Sequence, residues 1–160
     1  LYESKSGERG IFNRVSAKKK ATENGRRDTD WDFGTNPCGE IILRPCGLCN
    51  LSEVVVRSED TPDTLAKKVR IATIIGTFQS TLTDFRYIRK QWKRNAEDER
   101  LLGVSLTGIM DSKLTSGLDC GDLLQDLRAT SITVNKEWAD KLGINPSVAI
   151  TTVNLSSFVE

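Results

Sequence analysis

The residues best suited to chemistry lie together in the segment 34–41, which reads GTNPCGEI. Asn36, Cys38 and Glu40 occupy every second position of this segment. In an extended chain, side chains at every second position lie on one face, so we expect an amide, a thiol and a carboxylate side by side. Composition gives equal weight to an alternative, a loop rich in Gly and Pro whose cysteine is simply buried.

A second cysteine, Cys49, follows Cys38 by eleven residues. Arg44 and Pro45 lie between them and favour a bend, so a hairpin-like return would bring both sulfurs into one pocket. With Glu40 as proton acceptor, such a pocket could carry out redox chemistry on a polyol. The alternative is that Cys49 is a buried residue that opens the strand after it.

Cys46 forms a Cys-x-x-Cys pattern with Cys49, as in thioredoxin-like dithiol enzymes. In those enzymes the pattern opens a helix whose N-terminus lowers the pKa of a thiol. Here the residues that follow favour a strand, which makes a dithiol oxidoreductase the weaker alternative. A zinc site is weaker still because the chain contains no histidine, so we expect no metal ligands and no role for Cys120.

Strands that alternate with long helices surround these residues and indicate an α/β fold. Gly and Pro exclude a helix from residues 36–49, and a β-branched run predicts a strand over residues 50–56. The other predicted elements are helices near residues 13–24, 61–82, 87–100 and 122–142, and strands over residues 101–108 and 148–153.

Two of these helices carry clear end signals. Thr61 suits an N-cap and Pro62 suits the first helical position, whereas Gly143 is well placed to end the last helix. A repeat of three or four residues in the helix over residues 61–82 predicts a buried face. That face consists of Leu65, Val69, Ala72, Ile75 and Phe78.

The composition limits the partners of the chain. It has 160 residues, enough for one domain, with 23 basic and 22 acidic residues. Because the charges nearly cancel, we expect no nucleic acid partner, and we interpret the basic run within residues 18–27 as a solvated face. No apolar run is long enough for a bilayer and nothing resembles a signal peptide, so we expect no membrane partner and a cytoplasmic location.

The segment 34–45 and the segment 49–57, CNLSEVVVR, resemble the active-site loop of class II ribonucleotide reductases, which use adenosylcobalamin. The resemblance extends, in order, over nearly the whole chain. The further similar stretches are residues 6–14 (SGERGIFNR), 79–85 (QSTLTDF), 101–111 (LLGVSLTGIMD) and 149–153 (AITTV).

The resemblance implies a role for each residue of the loop. Cys38 would become the thiyl radical after a deoxyadenosyl radical abstracts its hydrogen atom, and the thiyl would then remove the 3′-hydrogen of the ribonucleotide. Glu40 would accept the 3′-hydroxyl proton as general base, and Asn36 would hydrogen-bond the ribose. Cys49 would be one of two redox-active cysteines that supply reducing equivalents, with its partner upstream of this chain.

The same resemblance implies a fold and a set of partners. The fold would be part of a ten-stranded α/β barrel, residues 1–160 being a partial catalytic domain with the central finger loop at about residues 34–50. The substrate would be a ribonucleoside di- or triphosphate, and the product would serve deoxyribonucleotide biosynthesis for DNA replication. The other partners would be a thioredoxin-like external dithiol, deoxynucleotide effectors bound by parts outside this chain, and the remainder of the subunit.

The end of the chain departs from the family pattern. Residues 151–153, TTV, lead in the family into a Lys-Pro-Ser-Gly-Thr turn that binds substrate phosphate, but this chain continues as NLSSFVE. Only Ser156 matches, and it is the candidate for contact with the phosphate. Because the chain starts with Leu1 and ends beside an apolar run, we expect both termini to be truncated. An inactive or split-subunit remnant that acts only by association therefore stands beside the enzyme interpretation.

Overall fold

The computed structural model describes residues 3, 10–23 and 27–153. Within these residues, the chain combines helices and strands, and each predicted helix has a counterpart, but strands and helices come in runs rather than in strict alternation. The helices are α1 (Arg14–Glu23), α2 (Pro62–Gln79), α3 (Lys90–Glu99), α4 (Lys113–Ser116) and α5 (Gly121–Leu142). The strands are β1 (Gly34–Thr35), β2 (Ile42–Leu43), β3 (Asn50–Val55) and β4 (Leu102–Thr107), and a short 3-10 helix covers Ile109–Asp111.

The centre of the fold is a parallel pair of strands, β3 and β4, in register from Asn50 opposite Leu102 to Val55 opposite Thr107. On the other side of β4, the predicted strand over residues 148–153 is present as an extended segment. It accepts backbone hydrogen bonds from Leu102 and Val104, and Thr152 donates one back to Val104. Helices α2 and α5 pack beside these strands, and the buried core includes Val54, Leu65, Val69, Val104, Leu127 and Ile150.

The predicted helix ends are confirmed. Thr61 is the N-cap of α2: its hydroxyl accepts the Thr64 N–H at 3.2 Å, and Thr64 Oγ1 accepts the Thr61 N–H at 2.9 Å. These two bonds satisfy backbone donors that a helix start leaves open. Gly143 ends α5 with a φ of 64°, in the left-handed region where glycine carries no side-chain penalty.

The predicted buried face of α2 is correct for its first half and wrong for its second. Ile75 and Phe78 are 56% and 43% exposed, whereas Thr73, Gly76 and Thr77 are buried. The reason is close packing. A Cβ on Gly76 would lie 3.4 Å from the Leu102 side chain of β4, so small residues occupy this stretch and the larger ones are directed outward.

The α/β class is confirmed. The strands named above form two two-stranded sheets, and no closed barrel is present within the described residues. Among these residues, no helix has both the length and the apolar character that crossing a bilayer demands.

Candidate active site

The segment with the amide, thiol and carboxylate forms a hairpin. Strand β1 pairs antiparallel with β2, with Gly34 opposite Leu43 and Thr35 opposite Ile42. The expectation of an extended segment with alternating side chains is therefore wrong for residues 36–41. Gly39 has a φ of 88° and donates its N–H to the Asn36 carbonyl at 3.1 Å, which closes a turn.

The hairpin brings Asn36 and Glu40 together by a different route. The Asn36 amide donates to Glu40 Oε1 at 2.7 Å, and its Oδ1 accepts the Ile41 N–H at 3.0 Å. Both the nitrogen and the oxygen of the Asn36 side-chain amide are therefore hydrogen-bonded, and the amide fixes one oxygen of the Glu40 carboxylate. Cys38 lies at the tip of the same turn as an exposed free thiol.

The second oxygen of Glu40 has a different environment. Glu40 Oε2 is buried and accepts no hydrogen bond within the described part of the chain. Buried polar atoms are usually paired, so an acceptor without a donor is a candidate contact for a ligand hydroxyl. The Glu40 backbone carbonyl is fixed separately, by the Thr152 hydroxyl at 3.2 Å. Sequence reasoning gave Thr152 no role, although its segment is one of those that resemble the reductases.

Cys49 lies at the start of β3, beside Gly103 of β4. It is half-buried, and burial raises its thiol pKa to about 12, with a further increase from the negative charge of Glu40 and an opposing effect from the Arg27 cation. A thiol with this pKa remains protonated near neutral pH. The structure therefore brings Cys49 and Glu40 into one electrostatic environment, while Cys38 occupies the exposed tip of the hairpin, and a shared pocket for the two sulfurs stays a prediction.

A buried ionic network joins the residues that flank the hairpin to Glu99. Arg27 binds Glu99 at 2.6 Å, and Arg44 Nε lies 3.4 Å from the same carboxylate. The interpretation of residues 18–27 as a solvated face is wrong for Arg27, since only 4% of its side chain is exposed. Sequence reasoning missed this network because Arg27 and Glu99 are 72 residues apart.

The dithiol alternative finds no support in the geometry. Cys46 lies in a turn with a φ of 58°, and β3 rather than a helix follows Cys49. No helix N-terminus is present there to lower a thiol pKa, and the pKa of Cys49 is raised instead. Cys120 is a half-buried free thiol just before α5. The described residues contain no group of three or more His, Cys, Asp or Glu that could hold a metal ion.

Ser156, the candidate for phosphate contact, lies outside the described residues, which end at Val153.

No family model and no solved structure matches the chain. Curated proteins do match, and they confirm the resemblance to the adenosylcobalamin-dependent ribonucleotide reductases. A relative from Lacticaseibacillus paracasei is 29% identical, and the match covers 98% of this chain and 24% of the relative. Relatives from Lactobacillus acidophilus and Lactobacillus helveticus are each 27% identical, over 79% of this chain and 20% of their own length.

All three relatives are named adenosylcobalamin-dependent ribonucleoside-triphosphate reductase. The chain spans about a fifth to a quarter of the length of these curated relatives.

Proposed function

We propose that this chain is the part of a ribonucleotide reductase catalytic subunit that presents the radical cysteine and the general base to the substrate ribose. The observation that carries the proposal is the Glu40 carboxylate: one oxygen is held by Asn36 at 2.7 Å, and the other is buried without a donor among the described residues. A ribose hydroxyl supplies the missing donor. The names of the relatives favour a ribonucleoside triphosphate as substrate.

Cys38 is the proposed thiyl radical residue. Adenosylcobalamin, when bound, supplies a carbon-centred radical that can take the hydrogen atom of a thiol. Cys38 suits this transfer because it is exposed at the tip of a tight turn, where a bound cofactor can reach it. Its sulfur radical then removes the 3′-hydrogen atom of the ribose and later returns a hydrogen atom to the same carbon.

Glu40 and Asn36 are proposed to act on the hydroxyls of the sugar. Glu40 accepts the 3′-hydroxyl proton through its free oxygen, which requires no histidine. Asn36 holds the carboxylate by its amide N–H, so the base keeps its orientation while the substrate binds and leaves. The 2′-hydroxyl departs as water after it gains a proton.

Cys49 is proposed as one of the two reducing thiols. Because its pKa is about 12, it reaches the reaction as a thiol and can deliver both a proton and an electron. A second cysteine, in the part of the subunit outside this chain, supplies the other electron and the other proton, and the two sulfurs become a disulfide. An external dithiol of the thioredoxin type then reduces the disulfide, so each turnover consumes one dithiol and releases one water.

The fold proposed for the complete subunit is the ten-stranded barrel, with residues 1–160 as part of it and residues 34–50 as its finger loop. Within the described residues, β3 pairs with another strand on one side only, and its other edge supports this proposal. A groove of about 530 Å³ follows that edge, away from the hairpin, and exposes Ile71 and Ile75 of α2. An edge strand beside uncovered apolar side chains is suited to a further strand from the rest of the subunit.

The same edge favours a second candidate, a split-subunit fragment that acts only after association. On either proposal, the chain alone forms no deoxyribonucleotide with adenosylcobalamin and a dithiol. Product formation by the isolated chain would contradict both.

A chimera tests the proposed chemistry. This chain replaces the matching quarter of the Lacticaseibacillus paracasei reductase, and deoxyribonucleotide formation is measured in chimeras whose circular dichroism matches that of the parent. We expect turnover in the chimera, its loss in Cys38→Ser, and nearly full activity in the matched control Cys46→Ala. Equal activity losses from the two substitutions would show that the radical thiol is wrongly assigned.

A further inference from the structure

Both arms of the hairpin are tied to one buried carboxylate. Glu99, the last residue of α3, accepts Arg27 Nε–H at 2.6 Å and Arg27 Nη2–H at 3.2 Å on its two oxygens. Arg44 Nε lies 3.4 Å from the same Glu99 Oε2. The three side chains, here called the arginine clasp, are only 4% to 6% exposed, so Glu99 compensates the buried charge of Arg27 and part of that of Arg44, which also pairs with Asp98.

The clasp encloses the candidate site in the sequence. Arg27 lies seven residues before β1, and Arg44 directly follows β2, so the residues between them include Asn36, Cys38 and Glu40. Each guanidinium also covers an aromatic ring from the same stretch. Arg27 lies 4.8 Å from the ring centre of Phe33, and Arg44 lies 5.1 Å from that of Trp31.

The hairpin needs such external support. Its two strands pair over two residues each, and an isolated two-stranded hairpin is marginal in water. Apolar packing contributes through Phe33, which is fully buried against Ala17 and Ala21 of α1. On the other side, the last turn of α3 holds Arg44, whose Nη2 binds Asp98 at 2.8 Å and the Asn95 carbonyl at 3.1 Å.

We infer that Glu99 is a positioning residue: by pairing with both Arg27 and Arg44, it holds residues 27–44 closed and thereby sets the place of the Asn36–Glu40 pair near Cys49. The reason is electrostatic. Without the carboxylate, the buried Arg27 loses the partner it has in Glu99 and Arg44 keeps only Asp98, so the two nearby cations repel each other and the arms separate to rehydrate them. The role of the hairpin in a reductase rests on the proposed function. The geometry of the clasp does not depend on it.

Amide hydrogen exchange of the full chain, read by NMR, tests this inference in Glu99→Gln. The Asn36 and Ile41 amides both take part in hydrogen bonds across the hairpin loop, so they report its opening. We expect both to exchange at least about tenfold faster than in the wild type, while the Asn50 and Val56 amides of the β3–β4 pair keep their rates. A role in overall stability alone would accelerate all four amides equally.

Thiol labelling gives a second readout of the same opening, to be interpreted together with the four amides. In Glu99→Gln, iodoacetamide should label the half-buried Cys49 at least about tenfold faster. The exposed Cys38 should keep its rate. Neither readout needs nucleotide turnover, so a failure of the proposed function would leave the expected result intact.

Glu97→Gln is the matched control, since Glu97 is on the same helix but contacts Lys93 and Thr83 instead of the hairpin. It should leave the Ile41 exchange unchanged. If Glu99→Gln does not fold, Glu99→Asp decides the question: it keeps the charge but shortens the reach, and Ile41 should exchange a few times faster. Wild-type exchange at Ile41 in either folded Glu99 variant, or the same acceleration in Glu97→Gln, would overturn the inference.

Discussion

Gly103 of β4 provides the space that Cys49 occupies. A Cβ at Gly103 would lie 3.3 Å from Cys49 Sγ, 3.1 Å from Thr152 Cγ2 and 2.5 Å from Leu51 Cδ2. The 2.5 Å distance is to the end of the flexible, 41% exposed Leu51 side chain, which can move aside, whereas the tight distances to Cys49 and Thr152 show that the glycine serves close approach rather than backbone freedom. Because position 103 has no side chain, the half-buried Cys49 thiol and the Thr152 side chain can both pack against β4 there.

Gly103→Ala should therefore destabilise the chain and disturb the site. We expect a loss of roughly 1 kcal/mol in the free energy of unfolding, the low end of the cost of overpacking, because the exposed end of Leu51 can shift. Urea denaturation measures it. The control is Gly121→Ala at the start of α5, where a Cβ would meet nothing within 4 Å and alanine favours the helix. Equal stability of both variants would contradict the close packing around Cys49.

The raised pKa of Cys49 predicts a specific loss of stability at alkaline pH. The thiol has a pKa of about 12 when folded and an ordinary value of 9.0, so the unfolded chain releases this proton first as pH rises. Below about pH 9 this thiol costs the folded state nothing. Between the two pKa values, the free energy of unfolding falls by about 1.4 kcal/mol per pH unit. Urea denaturation at pH 7.5 and 10.5 should show this loss in the wild type.

The control for the alkaline loss is Cys49→Ala, which removes the thiol and leaves the other groups that titrate above pH 9. The wild type should lose more stability than Cys49→Ala between the two pH values. If both lose the same amount, the pKa of Cys49 is not raised by folding.

Glu40→Gln should make Cys49 more reactive. The negative charge of Glu40 is the second cause of the raised pKa, after burial, so its removal lowers the pKa while burial keeps it above the ordinary value. Glutamine retains an oxygen that can accept from Asn36. The rate of Cys49 alkylation at pH 9, followed by mass spectrometry, should increase, whereas the exposed Glu59→Gln should change nothing. An unchanged Cys49 rate in Glu40→Gln would show that the two groups do not interact.

The sequence was sufficient for the elements governed by local rules. The N-cap at Thr61, the end of α5 at Gly143 and the strand after Cys49 follow from propensities and backbone geometry within a few residues. The Asn36–Glu40 contact was expected for the wrong reason. Strand alternation was assumed, but Gly39 adopts a positive φ, and the two residues meet across a turn instead.

Long-range contacts lay beyond sequence reasoning. The bonds of Glu99 to Arg27 and of Thr152 to Glu40 join residues 72 and 112 positions apart, and no periodicity connects them. The exposure of Ile75 and Phe78 has a similar origin, because the buried side of α2 is set by how closely α5 and β4 approach it. Such distances depend on the packing of several elements at once.

The hydrogen bond from Thr152 to the Glu40 carbonyl makes the extended segment beside β4 part of the site. Thr152→Val keeps the shape of the side chain and removes the donor, so the hairpin loses its link to the segment beside β4. We expect a loss of about 0.5–1.5 kcal/mol in the free energy of unfolding and faster exchange of the Ile41 amide. Thr151→Val is the matched control because Thr151 is exposed. If the two valine variants behave alike in both measurements, this hydrogen bond does not hold the hairpin, and its position depends on the arginine clasp and the Phe33 packing alone.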